Sequence, residues 1–219
     1  MTHLESIPAA PSTRGSSIIA VLLGIAGTLL ASGAWAHTGA LTDGHPHAEA
    51  VQSVMMGFMH PMRGIDHLAT MLAIGFWGAL SARRNGSGLL WGPLAFASML
   101  LVGAVMGVVG WRLPGVEPVV AASVLVLGIL VFWRTALQQT VTMVLVGGFA
   151  LFHGLAHGTE LVGSAQPAWT LAGMLGATLL LHVCGMAAGW NLRYRSIWLT
   201  RVAGASLAGL GAHLLLALA

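Results

Sequence analysis

Charge is what this sequence most lacks. Only 7% of its 219 residues are Asp, Glu, Lys or Arg, there is no lysine at all, and the nine basic residues are all arginine. A soluble domain needs several times more charge to cover its surface, so a soluble fold is excluded. Thiols are nearly absent too: the single Cys184 allows no intrachain disulfide and no cysteine-based zinc site. One tyrosine and the scatter of the arginines at segment ends leave no basic or aromatic surface for nucleic acid. No glycine-rich phosphate loop is present, so nothing points to ATP as an energy source.

What remains is apolar. Hydrophobic residues make up 57% of the chain, mean hydropathy is +0.85, and thirty glycines fit close helix packing. The reading is an all-α integral membrane protein whose partner is the lipid bilayer. Residues 1–17 form a polar leader with Arg14, residues 18–30 an apolar run, and residues 31–36 end in Ala34-Trp35-Ala36. This is the pattern of a signal peptide spanning 1–36, with an uncleaved first helix as the alternative. Residues 37–54 then form a histidine-containing extracytoplasmic segment, and residues 55–219 a permease domain.

Hydropathy divides that domain into six spans, near 55–80, 89–110, 117–137, 140–163, 168–190 and 196–219. Arg83, Arg84, Arg134, Arg193, Arg195 and Arg201 fall at alternate junctions, and the positive-inside rule makes those junctions cytoplasmic. The mature N-terminus and the C-terminus are then both periplasmic, in a bacterial inner membrane. Two three-helix halves follow with opposite orientation, the plan of inverted-repeat transporters.

Ten histidines stand out against this background. Residues 57–67, GFMHPMRGIDH, and residues 152–160, FHGLAHGTE, interrupt two spans with ionisable groups. Such groups within a membrane are costly and are functional candidates by default. His153 and His157 are four apart on one helical face and can close on one ion. Glu160 is two turns, roughly 10 Å of rise, from His153 and serves a neighbouring position or orients His157. Pro61 and Gly64 accompany His60. Asp66 and His67 are consecutive and cannot share a helical face, so one orients a ligand or the helix is distorted there. Arg63 is expected to pair with Asp66 or Glu160. His37, with His45 and His47, is a candidate capture group at the mature start. His182 and His213, each alone in its span, read first as packing residues.

Imidazole and carboxylate without thiolate suit Ni, Co, Zn or Cu(II) and suit Mg or Ca poorly. Met55, Met56, Met59 and Met62 flank the first motif and read as packing or lining groups, with thioether ligation of Cu(I) as the alternative. The small-residue pairs Gly103 with Gly107, Gly154 with Gly158 and Gly185 with Gly189 read as close-packing seams.

His60 followed after five residues by Asp66-His67, together with Phe152-His153-Gly154, Ala156-His157-Gly158 and Glu160, resembles the two signatures of the HupE/UreJ family of nickel/cobalt permeases. The resemblance covers nearly the whole chain. It implies that His60, Asp66, His67, His153, His157 and Glu160 are needed for transport, and it extends to His182 through a looser histidine and glycine pattern. It also implies secondary import of nickel or cobalt for hydrogenase or urease maturation, with the metal as bound and transported ion, no prosthetic group and no enzymatic activity; a homo-oligomer is compatible with it. The alternatives are an intramembrane metalloenzyme or haem protein on the same histidines, or an accessory or sensor subunit that binds metal without moving it. The metalloenzyme reading is weakened because HxxxHxxE lacks a base between the two histidines.

Overall fold

A chain this apolar must satisfy its backbone N–H and C=O groups internally, and helices do so within one segment. The structure, a computed structural model, describes residues 46–83, 86–162, 164–195 and 197–219, with side chains from residue 49. Residues 1–36, His37 and His45 lie outside the described residues, as does the side chain of His47. Among the described residues there are seven α-helices and no strand: α1 Pro46–Met59, α2 Ile65–Ser81, α3 Trp91–Val108, α4 Val116–Trp133, α5 Gln139–Glu160, α6 Pro167–Leu192 and α7 Ile197–Ala217. A single 3₁₀ turn, His60–Met62, joins α1 to α2.

Helices α3 to α7 are each long and apolar enough to cross a membrane, and α2 is a shorter apolar helix. The protein is a multi-pass membrane protein. The expected span 55–80 is thus not one helix. Pro61 closes α1 into the turn, and Gly64, in extended conformation, opens α2. Six exposed tryptophans, Trp91, Trp111, Trp133, Trp169, Trp190 and Trp198, stand at helix ends, as amphipathic rings do at a membrane boundary.

Glycine decides which helices touch. The most extensive pairings are α3 with α5, α4 with α7, α2 with α6 and α1 with α6. A methyl group on Gly103 would collide with the Leu151 carbonyl, on Gly154 with the Leu100 carbonyl and on Gly158 with the Ala104 carbonyl. Gly75 meets the His182 carbonyl in the same way, and Gly185 the Leu72 carbonyl. The three glycine pairs read from the sequence therefore lie in two close-packed seams, α3 on α5 and α2 on α6, and Gly128 with Gly204 and Gly211 forms another between α4 and α7. In α5 Gly154 and Gly158 directly follow His153 and His157, so the contacts that lock α5 onto α3 also fix both histidines.

Candidate metal centre

The break between α1 and α2 brings the first motif to the C-terminal end of α5. His60 lies in the turn, and its Nε2 is 2.9 Å from Glu160 Oε2. Two residues into α2, Asp66 Oδ1 accepts a hydrogen bond of 2.8 Å from His67 Nδ1–H. Gly64 makes room for this pair: a Cβ there would lie 2.8 Å from Asp66 Oδ1 and 3.0 Å from His67 Nδ1. Asp66 thus orients His67, and the helix is interrupted just before it. The two side chains meet within the first turn of the helix, which corrects the expectation that consecutive residues there cannot share a face. Arg63 corrects another: it is exposed, and among the described residues Asp66 pairs with His67 and Glu160 with His60. The neighbouring imidazoles already occupy both carboxylates.

Four imidazoles converge. The ring centroid of His157 is 4.8 Å from that of His60 and 4.3 Å from that of His67, and His67 is 5.2 Å from His153. Exposure falls along this series, from 34% for the side chain of His60 and 16% for His67 to full burial of His157 and His153. Beyond His153 stands Phe96, completely buried, with its ring 5.4 Å from His153 and 5.3 Å from His182. His182 is also buried.

Tautomers follow from the partners. A carbonyl only accepts, so His153 Nδ1 donates to the Phe149 oxygen at 3.0 Å and leaves the lone pair on Nε2. The bond to Asp66 fixes His67 likewise. His67 Nε2, His153 Nε2 and both ring nitrogens of His157 and His182 are buried without a hydrogen-bond partner. An unsatisfied buried polar group costs about 1–3 kcal/mol, so this cluster of them is the candidate site of the bundle. Ligand atoms of His60, His157 and Glu160 lie within 4.8 Å of one another. Metal–nitrogen bonds of about 2.1 Å bring ligand atoms to roughly 3–4 Å, within a rotamer adjustment.

A cavity of about 560 Å³ adjoins the cluster between α2, α4, α5 and α7, with Asp66, His67, Thr159 and Glu160 on one side and Arg112 and Glu117 on the other. The structure therefore gathers His60, Asp66, His67, His153, His157 and Glu160, sets His182 one ring further in, and leaves His213 exposed on α7. Met55 and Met56 are exposed. Phe96 and Glu117 were missed: Phe96 is one aromatic among many apolar residues in its span, and Glu117 reads as a junction marker.

The bundle and its buried ionisable groups define a polytopic membrane protein with a histidine and carboxylate cluster at one end. The HupE / UreJ protein family matches residues 23–214, and the chain belongs to that family. It is 37% identical over 194 residues to Protein HupE of Rhizobium leguminosarum bv. viciae, covering 87% of this chain and 94% of the relative. No solved structure matches it.

Proposed function

We propose that the protein is a secondary importer of divalent transition metal ions, nickel or cobalt, serving metalloenzyme maturation. The observation that carries this reading is the graded line of imidazoles, from the half-exposed His60–Glu160 pair through His67 and His157 to buried His153, with His182 beyond Phe96. An ion is captured at His60, His157 and Glu160, passes to the imidazoles of His67, His157 and His153, and leaves by way of His182. Nitrogen ligands of intermediate hardness favour late divalent metals over Mg or Ca. His37 and the segment around it serve as the outer collector.

The membrane potential suffices as driving force. A divalent ion moving inward gains roughly 4.6 kcal/mol at 100 mV, twice the single-charge value, which sustains more than a thousandfold concentration ratio. The arginine-rich end of the bundle is then cytoplasmic and the histidine end periplasmic. An inverted repeat is supported by the helix pairings: exchanging α2, α3, α4 with α5, α6, α7 turns the α3–α5 pair into α6–α2 and maps α4–α7 onto itself. The motifs do not follow that symmetry, since α5 carries its histidines at its far end and both motifs meet on one side. The test is metal accumulation by cells expressing the chain: nickel or cobalt content should rise, and unchanged uptake after replacing both His153 and His157 with alanine would sink the proposal.

A further inference from the structure

The opposite end of the bundle contains a second cavity of about 560 Å³, lined in part by Ser81, Gln138, Gln139 and Thr142, with Trp77 as one wall. Trp77 is the largest fully buried side chain and packs in one core with Ile74 and Phe96. Phe96 in turn touches His182. The core that holds Phe96, Ile74 and the indole thus borders His182 through Phe96 and this cavity through Trp77.

One hydrogen bond holds that wall directly, and two others tie the neighbouring helix ends together. Trp77 Nε1–H donates to the Thr135 carbonyl at 2.8 Å, Arg134 donates to the Arg193 carbonyl at 2.5 Å, and Arg193 donates to the Ala82 carbonyl at 2.6 Å. They tie the ends of α2, α4 and α6 into a closed ring. The two arginines sit at helix C-termini, where a cation is favoured. Arg134 adopts φ 53°, the left-handed region, and is the one non-glycine residue with positive φ among those described. The segment it starts, Thr135–Gln138, leads directly into α5, the helix that carries His153 and His157.

The chemistry of the two ends differs. The histidine end offers imidazole and carboxylate. The lining of the second cavity offers hydroxyl and amide oxygens with Arg83, and no imidazole or carboxylate among the described residues. Neutral oxygen donors hold a late divalent metal less tightly than imidazole does, and an ion must be bound weakly where it leaves.

We propose that this cavity is the release vestibule for a hydrated divalent cation, and that Trp77, held by the Thr135 carbonyl next to the Arg134–Arg193 tie, is the gate between it and His182. The inference rests on the transport reading above. It is tested by thiol accessibility, which requires no transport. A Val146→Cys probe in a Cys184→Ser background places a thiol one helical turn deeper than Thr142, at a fully buried position. A membrane-impermeant maleimide is applied to inverted and to right-side-out membrane vesicles. Trp77→Phe removes the indole donor. Arg134→Gly removes the guanidinium while suiting the left-handed backbone, so it covers the case in which the tryptophan variant fails to fold. Each should raise labelling in inverted vesicles about five- to tenfold, the population shift that loss of one buried hydrogen bond allows. Unchanged labelling in inverted vesicles, or an increase confined to right-side-out vesicles, would overturn the gate. Failure of the wild type to accumulate metal would instead defeat the transport reading and leave this readout unaffected.

Discussion

The Asp66–His67 hydrogen bond gives a prediction whose size can be worked out. Asp66 Oδ1 accepts from His67 Nδ1–H at 2.8 Å, and this alone determines that Nε2 of His67 faces the cluster with its lone pair. Both side chains are partly exposed, so the pair contributes little to folding, about 0–1 kcal/mol. Its effect on metal binding is larger: outer partners of ligating histidines are worth about 10–100-fold in affinity. Asp66→Asn retains an acceptor oxygen but loses the charge and should sit near tenfold, whereas Asp66→Ala loses both and should approach a hundredfold. Titration calorimetry with nickel or cobalt on purified protein in detergent measures the loss, and thermal unfolding of the same samples shows whether stability moved. A change under threefold in both variants, or a fall in affinity matched by an equal fall in stability, would refute the orienting role.

Three further expectations concern other parts of the structure. Gly154→Ala places a methyl against the Leu100 carbonyl and should lower the unfolding midpoint, since overpacking a tight contact costs about 1–3 kcal/mol and outweighs the gain in helix propensity; Gly148→Ala, at a position with open space, should be neutral or stabilising in the same assay. Glu160→Gln removes the anionic ligand from the outer group of three and should weaken capture at least tenfold in a binding titration, with unfolding little changed because the His60–Glu160 pair is half-exposed. Imidazoles ligate only when neutral, so metal binding should weaken as the solution is acidified and protons compete for the ring nitrogens; a binding isotherm that stays unchanged on acidification until the protein unfolds would contradict histidine ligation.

Much of this arrangement was legible because membrane sequences carry few polar residues, and each one is informative. His153 and His157 both reach His67, as i, i+4 spacing allows, and Glu160 lies with His60 and His157 rather than with His153, as its rise along the helix indicated. The glycine seams were readable because only a missing side chain lets two helix backbones touch. Tertiary meetings were less accessible. Nothing local distinguished Phe96 from neighbouring apolar residues, and its place between His153 and His182 comes from the α3–α5 seam and the α2–α6 contact. Arg63 was paired wrongly because the sequence shows which charges are near in the chain but not which imidazoles already hold the carboxylates. Trp77 read simply as apolar, since its hydrogen bond reaches a carbonyl 58 residues away.

The central claim is that the histidine line moves an ion and does not merely hold it. Purified protein reconstituted into sealed liposomes, with nickel, cobalt, zinc or magnesium outside and an imposed inside-negative potential, separates the two. The account predicts saturable entry of nickel or cobalt, little entry of magnesium, and loss of entry when His153 and His157 are replaced together. Metal bound to the protein with none accumulating inside would contradict it.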